Sequence, residues 1–331
     1  MTGNFKRVIF ILLLISAAGC GPNPNKGQIP ETRIQKIKVK NYGQALFSLD
    51  PMNVKQGLDS LSSEFSIFTG VDPDTLQALQ IREFIMDPLN RELAAGCAEK
   101  FPSLEFLNDE LTVCFDAVKN TDTAFTVPEV YAYVSGLIYE SPVEYFDSIM
   151  VIALDLFLGW DYQPYRAAGI PVYMTRRMEK QNIVAECARQ IAISKIPSGD
   201  EPKTLLDFMI LHGKVLYALD RYLPGVADSL KIGYTAGQAE WCSNNEANIW
   251  RMLIDQEVLY STESFVNNRF IMDGPFTSGL PDGAPAMLGR WIGWQIVRSY
   301  MKKNPGISLE ELFAQNDSQA ILSNSGYKPK R

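Results

Sequence analysis

Two β-rich segments in the middle of an otherwise helical chain constrain the fold most. Residues 127–138 are rich in β-branched and aromatic side chains, and residues 149–154 form a continuous apolar run. Both patterns are typical of strands. We predict two adjacent strands of a small sheet, joined by a polar turn at residues 140–142. Residues 35–40, where Ile37 and Val39 alternate with lysines, predict a further strand at a sheet edge.

Apolar residues recur at helical spacing on both sides of these strands. Before them, residues 54–115 predict four short helices, with prolines at or before the helix starts. After them, the predicted helices cover residues 182–193, 204–219, 235–260 and 288–302. The predicted fold class is α+β, a mostly helical body with a small antiparallel or mixed sheet.

Residues 1–19 are similar to a bacterial lipoprotein signal peptide. Lys6 and Arg7 precede an apolar run over residues 8–15, which is about half of the ~20 residues that span a bilayer. Small residues at positions 17–19 then precede Cys20, the predicted site of lipid attachment. The alternative is an ordinary signal peptide followed by an unmodified cysteine. We expect acyl chains such as palmitate on Cys20, and no second apolar run of this length follows in the sequence.

The predicted domain organisation follows from composition. Residues 20–34, which include the lipidated cysteine, are rich in Pro, Gly and Asn and predict a tether. Residues 35–331 are predicted to form a single domain, with a helical part over 35–120 and a second part over 121–331.

Charge and composition exclude several functions. The chain of 331 residues has 31 Lys and Arg against 38 Asp and Glu, the wrong sign for binding nucleic acid. Its single histidine leaves no pair for a zinc site built on two imidazoles. No Gly-x-Ser-x-Gly elbow occurs, and the glycine-rich residues 274–289 lack the Gly-Lys-Ser/Thr ending that binds a nucleotide.

Cysteine pairing is open. Cys97, Cys114, Cys187 and Cys242 allow three pairings in an exported protein. Cys97 and Cys114, on neighbouring predicted helices, are the favoured pair, and buried free thiols are the alternative.

Several blocks with unusual tryptophans and glycines occur in a characteristic order. They are residues 146–162 (FDSIMVIALDLFLGWDY), 171–173, 176–178, 232–235 (IGYT), 240–242, 275–277 and 289–298 (GRWIGWQIVR). In these blocks, and over most of residues 20–328, the sequence resembles the gliding-motility lipoprotein GldB family of the Bacteroidota. The resemblance implies a lipid-anchored protein of the cell envelope, which we expect to be non-enzymatic. It also implies partners among the gliding and type IX secretion proteins, and no cofactor. Gly21 and Pro22 after Cys20, with no early acidic cluster, are unlike a signal for surface export and predict a body that faces the periplasm.

The same region is more distantly similar to zinc-peptidase-like domains, whose active-site helix carries His-Glu-x-x-His. In this sequence the motif falls on residues 185–189, where Glu186 is kept and Ala185 and Arg189 replace the histidines. The third ligand would fall near His212. The similarity implies a degenerate zincin-like scaffold without catalytic or metal-binding residues. The alternative is a peptidase or cell-wall hydrolase that uses Glu186, with or without a metal.

Tryptophans 241, 250, 291 and 294 have two interpretations. They form either an aromatic core or a groove for peptide or glycan, with Arg290, Arg298, Asn245 and Glu246 as polar contacts. Gly289 and Gly293 are predicted to allow close approach of another element. The predicted cleft residues are therefore Glu186, Arg189, His212, Asn245, Glu246 and Arg290.

Overall fold

A mixed sheet organises the first half of the structure. The computed structural model describes residues 34–70, 74–199, 201–280 and 283–329; the predicted signal peptide and Cys20 lie outside these ranges. Within them, a four-stranded sheet has the order β1-β2-β4-β3. Its strands are β1 (Lys40–Asn41), β2 (Glu129–Tyr133), β3 (Val143–Phe146) and β4 (Ile149–Ala153). The α+β prediction is confirmed.

The connection between the two predicted strands differs from the prediction. β2 and β4 are adjacent as expected, but they run parallel, with Tyr131 opposite Val151. The turn at residues 140–142 leads instead into β3, which pairs with β4 antiparallel. The predicted direct turn was wrong because a tight turn can join only antiparallel strands, and parallel neighbours need a longer connection.

The predicted edge strand is shorter than expected. Only Lys40–Asn41 pairs with the sheet, at the edge beside β2. The extended residues before it bond to side chains of a helix instead: the Ile37 amide donates to Thr112 Oγ1 at 2.9 Å. The Val39 amide donates to Asn108 Oδ1 at 2.8 Å. These main-chain donors are therefore satisfied without a neighbouring strand.

Helices surround the sheet and form most of the second half. Helices α1 to α5 are Tyr42–Phe47, Val54–Thr69, Thr75–Met86, Pro88–Lys100 and Glu105–Thr121. Helices α6 to α10 are Gln163–Ala167, Val172–Thr175, Ile183–Ser194, Leu205–Tyr222 and Asp228–Ile232. Helices α11 to α15 are Ala236–Asp255, Ser264–Ile271, Leu288–Lys303, Leu309–Ala314 and Ser318–Ser325. The long predicted helices are confirmed, except that α11 ends at Asp255 rather than near residue 260. No described helix has both the length and the apolar character needed to cross a membrane.

Both faces of the sheet are buried. On one face Tyr131 packs with Tyr42 and Phe65, from α1 and α2. On the other, Ala132 and Ile152 join the large core that includes residues of α5, α8 and α9. Alternate residues of a strand point to opposite faces, which explains why this sheet separates two apolar clusters. The residues that the structure describes form one compact unit.

Helices α9 and α13 cross in direct backbone contact. A Cβ placed on Gly293 would lie 1.9 Å from the carbonyl oxygen of Met209, and one on Gly213 would lie 2.4 Å from that of Gly293. The predicted close approach at Gly293 is thus confirmed. Trp291 and Trp294 on α13 are buried, at 5% and 0% exposure, as the aromatic-core interpretation requires. The crossing also brings His212, which precedes Gly213 on α9, toward Arg290, which lies one turn before Gly293 on α13.

The cysteines of the described residues are free. Cys97, Cys114, Cys187 and Cys242 are all buried thiols, so the favoured Cys97–Cys114 disulfide is absent from this structure. Burial raises the pKa of the Cys114 thiol to about 12, which leaves it protonated and unreactive at neutral pH.

Candidate functional site

Helix α8 places the predicted motif residues on one face. Arg189 Nε donates to Glu186 Oε2 at 3.1 Å, three residues earlier on the helix, as side chains at this spacing are neighbours. Arg189 Nη2 also donates to the main-chain oxygen of Lys231 at 2.5 Å. The side chains of Glu186 and Arg189 are 10% and 13% exposed. The one carboxylate of the motif is therefore held by a permanent cation.

Two arginines after α7 extend this pair. Arg176 Nη2 lies 2.5 Å from Asp273 Oδ1, and Arg176 Nε donates to the Gly233 main-chain oxygen at 2.9 Å. Arg177 Nη2 lies 3.3 Å from Asp273 Oδ2, and its Nη1 lies 3.8 Å from Glu186 Oε1. Arg177 therefore links the α8 pair to Asp273, which follows α12.

Gly233 makes room for these arginines. It follows α10 in the left-handed region, with φ of +81°, where side chains other than glycine are strained. A Cβ at this position would also lie 2.4 Å from Cδ of Arg177. The glycine thus lets Arg177 pack closely over the end of α10.

His212 on α9 and Arg290 on α13 complete the group. Burial, together with the charges of Arg290 and Arg189, lowers the pKa of His212 to about 3, so the imidazole is neutral at physiological pH. Arg290 Nε donates to the main-chain oxygen of Ile271 at 2.7 Å. Burial and the charges of Arg189 and Arg177 lower the pKa of Arg290 to about 10, which leaves it charged.

We refer to these residues as the arginine cluster: Arg176, Arg177, Arg189 and Arg290, with Glu186, Asp273 and His212. Burial acts to raise the pKa of Glu186, but the charges of Arg189 and Arg177 outweigh it and hold the pKa below its usual range. Glu186 is therefore ionised and paired. A general base works best with a pKa near the operating pH, so this environment does not tune Glu186 for that role.

Four of the six predicted cleft residues come together in this cluster, and two do not. Asn245 Nδ2 donates to the main-chain oxygen of Trp241 at 2.8 Å, within its own helix. Glu246 is buried and accepts from the Tyr327 hydroxyl at 2.9 Å. Trp250 packs edge-on against the same tyrosine. Asn245 and Glu246 were grouped with the cleft from sequence, but their bonds support α11 and the C-terminal segment.

Sequence reasoning missed Arg176, Arg177, Gly233 and Asp273 as members of the site. Two consecutive arginines in a loop are usually solvated surface, and nothing local to them indicates their partner. A signal was nevertheless present, because both arginines and Gly233 lie within the blocks that carry the family resemblance.

A second charged network next to this cluster is balanced. Arg298 contacts Asp220 and Asp228, each at 2.7 Å, and Lys231 Nζ lies 2.9 Å from Asp220. The Arg298 guanidinium also stacks on the Trp294 ring, 3.7 Å from its centroid. The charges of the network's two cations and its two carboxylates cancel. Arg298, which the groove interpretation offered as a ligand contact, is thus engaged within the protein.

The arginine cluster has the wrong charge for a metal ion. Two carboxylates face four guanidinium groups, which would repel a divalent cation. Across the ranges that the structure describes, no three His, Cys, Asp or Glu side chains gather as a potential metal site. A cavity of about 160 Å³ opens onto Arg177 and Glu186, and the exposed Glu140 lines the same cavity.

Comparison with protein families identifies the chain. A family model described as gliding motility protein GldB matches residues 23–329, nearly the whole sequence. The chain belongs to the GldB family. Membership implies a role in gliding motility, and the family model is that of a lipoprotein rather than of a known enzyme. Searches of curated proteins and of solved structures found no match to this GldB-family chain.

Proposed function

We propose that this chain is a lipid-anchored protein of the cell envelope, attached through Cys20 and facing the periplasm, which gliding motility requires. Its body acts as a non-catalytic binding component associated with the type IX secretion apparatus. The observation that carries the proposal is the family match over residues 23–329. The small residues before Cys20 support the lipid anchor.

The lack of catalysis is supported by the arginine cluster. The helix that would carry a zinc peptidase motif has Ala185 and Arg189 at the histidine positions. Arg189 binds the remaining Glu186 at 3.1 Å, and His212 is surrounded by cationic charge. We propose that the fold is a peptidase-like scaffold whose active-site helix has become part of an internal charge network.

Gliding of cells that carry single variants tests both parts. Cys20→Ala should abolish lipid labelling and reduce gliding, whereas Glu186→Gln should leave gliding intact at normal protein abundance. Loss of gliding in Glu186→Gln at normal abundance, or stoichiometric zinc in the purified chain, would favour the hydrolase alternative instead.

The binding role is tested by photocrosslinking in living cells. Exposed aromatic residues on separate elements, Phe146, Trp160 and Phe265, are 60%, 53% and 78% exposed and accept a photoreactive phenylalanine with little disturbance. We expect at least one position to crosslink to a gliding or type IX secretion protein. If none of the three positions crosslinks to any of these proteins, the scaffold role is contradicted.

A further inference from the structure

The arginine cluster carries uncompensated positive charge. Four guanidinium groups face two carboxylates, and His212 is neutral, so the formal charge is 4 − 2 = +2. The side chains of Arg176, Arg177 and Arg189 are only 11%, 26% and 13% exposed. Unpaired charge is costly when it is removed from water. In the neighbouring network, by contrast, Arg298 and Lys231 are paired with Asp220 and Asp228.

The hydrogen-bond donors of the cluster are unevenly used. Arg176 donates through Nε, Nη1 and Nη2 to Gly233, Tyr173 and Asp273. Arg290 donates only through Nε, and among the described residues its two terminal nitrogens have no acceptor. The Arg177 guanidinium has two ion-pair contacts, at 3.8 Å and 3.3 Å, but it donates no hydrogen bond within the described ranges. A guanidinium has five N–H donors, so several N–H groups of Arg177 and Arg290 remain available to a ligand.

We propose that the arginine cluster is a binding site for a phosphate group, either as free phosphate or as a phosphate monoester. Arg177 and Arg290 donate to its oxygens, and Arg189 contributes charge. The guanidinium fork matches the geometry of phosphate oxygens. A dianion also balances the charge of +2. The 160 Å³ cavity gives access to Arg177.

The single histidine provides a direct reporter for this site. His212 is the only histidine of the chain, so its imidazole resonances need no assignment. Its pKa depends on the charges of Arg290 and Arg189. An anion bound between these arginines would shift the His212 signals, whereas an anion bound elsewhere on the protein would not.

The test is titration of the full chain, purified in detergent, with inorganic phosphate, phosphoethanolamine and succinate. Chloride at matched ionic strength serves as the reference. We expect a saturable shift of the His212 resonances with phosphate at millimolar concentration, and weaker or no shift with succinate. Phosphoethanolamine separates the two sources: a response as strong as that of phosphate indicates that a monoester is accepted, and a response to phosphate alone indicates the free ion.

Three variants locate the binding. Arg177→Gln should weaken the affinity for phosphate about tenfold, the loss of one charge-assisted hydrogen bond. Arg166→Gln, at an exposed arginine outside the cluster, should leave the affinity unchanged. Glu140→Gln should strengthen binding, because it removes a like charge from the cavity that opens onto Arg177.

Three results would overturn the proposal. They are a His212 shift that follows chloride as well as phosphate, equal phosphate affinity in Arg177→Gln and Arg166→Gln, and binding of succinate without phosphate. Phosphate also stabilises proteins generally at high concentration, so a rise of the melting temperature alone does not count. Arg177 is the main test residue because its partly exposed side chain makes misfolding of the variant less of a risk than at Arg290.

Discussion

Arg189 and Glu186 form a hydrogen-bonded ion pair across one turn of α8, with 3.1 Å between Nε and Oε2. Arg189 therefore places a permanent cation beside the buried carboxylate of this helix. This ion pair makes α8 part of the arginine cluster. It also makes the cluster open to tests that do not depend on motility.

Removal of Arg189 should destabilise the protein through Glu186. Arg189→Leu leaves the buried carboxylate with Arg177, 3.8 Å away, and we expect the free energy of unfolding to fall by about 2 kcal/mol. The pKa of Glu186 is below its ordinary value. The stabilisation that its carboxylate provides is therefore fully present above the ordinary pKa and is lost as pH falls through the folded-state pKa. Urea unfolding at neutral pH and at pH 3 measures both effects, and Arg166→Leu is the control.

The pH dependence of stability should reveal His212. Its folded-state pKa of about 3 lies below the ordinary 6.5, so the unfolded chain binds an extra proton between these values. Stability therefore falls as pH is lowered from 6.5 toward 3, at ~1.4 kcal/mol per pH unit from this residue. His212→Gln should flatten this part of the curve relative to the wild-type protein. Identical slopes for the two proteins would show that the imidazole is not held neutral.

The crossing of α9 and α13 should not tolerate a methyl group. Gly293→Ala places a Cβ against the Met209 backbone, which cannot move without separating the helices, and we expect a loss of about 3 kcal/mol or more in unfolding free energy. Gly237→Ala is the matched control, because a Cβ there has no neighbour within 4 Å. Thermal unfolding of the two variants compares them directly; similar melting temperatures would contradict the described packing.

Arg298 should not be replaceable by lysine. Arg298→Lys keeps the charge but loses the simultaneous contacts to Asp220 and Asp228 and the stacking on Trp294. We expect a loss of about 1–2 kcal/mol, because an ammonium group presents no planar fork. Unfolding in guanidinium chloride measures the loss, and Arg251→Lys, at an exposed position on α11, should cost less than about 0.5 kcal/mol.

Most of the fold prediction was based on patterns within single segments. The helical spacing over residues 182–193 and 204–219 correctly predicted α8 and α9, since burial of one helix face leaves a periodic signature. The same logic placed Trp291 and Trp294 on one helix and Gly293 at a close contact. The prediction of a direct turn between β2 and β4 failed, because strand direction depends on how the chain returns to the sheet, and residue types do not encode that.

The α+β class, the positions of the long helices and the family could all be predicted from the sequence, because each is visible in neighbouring residues or in ordered blocks. Which charged side chains meet, however, depends on how the helices pack. Arg176 and Asp273 are 97 positions apart along the chain, and Arg298 and Asp220 are separated by 78. Electrostatic interaction depends on distance in space, so the charge excess of the arginine cluster exists only once α7, α8, α9 and α13 have packed together.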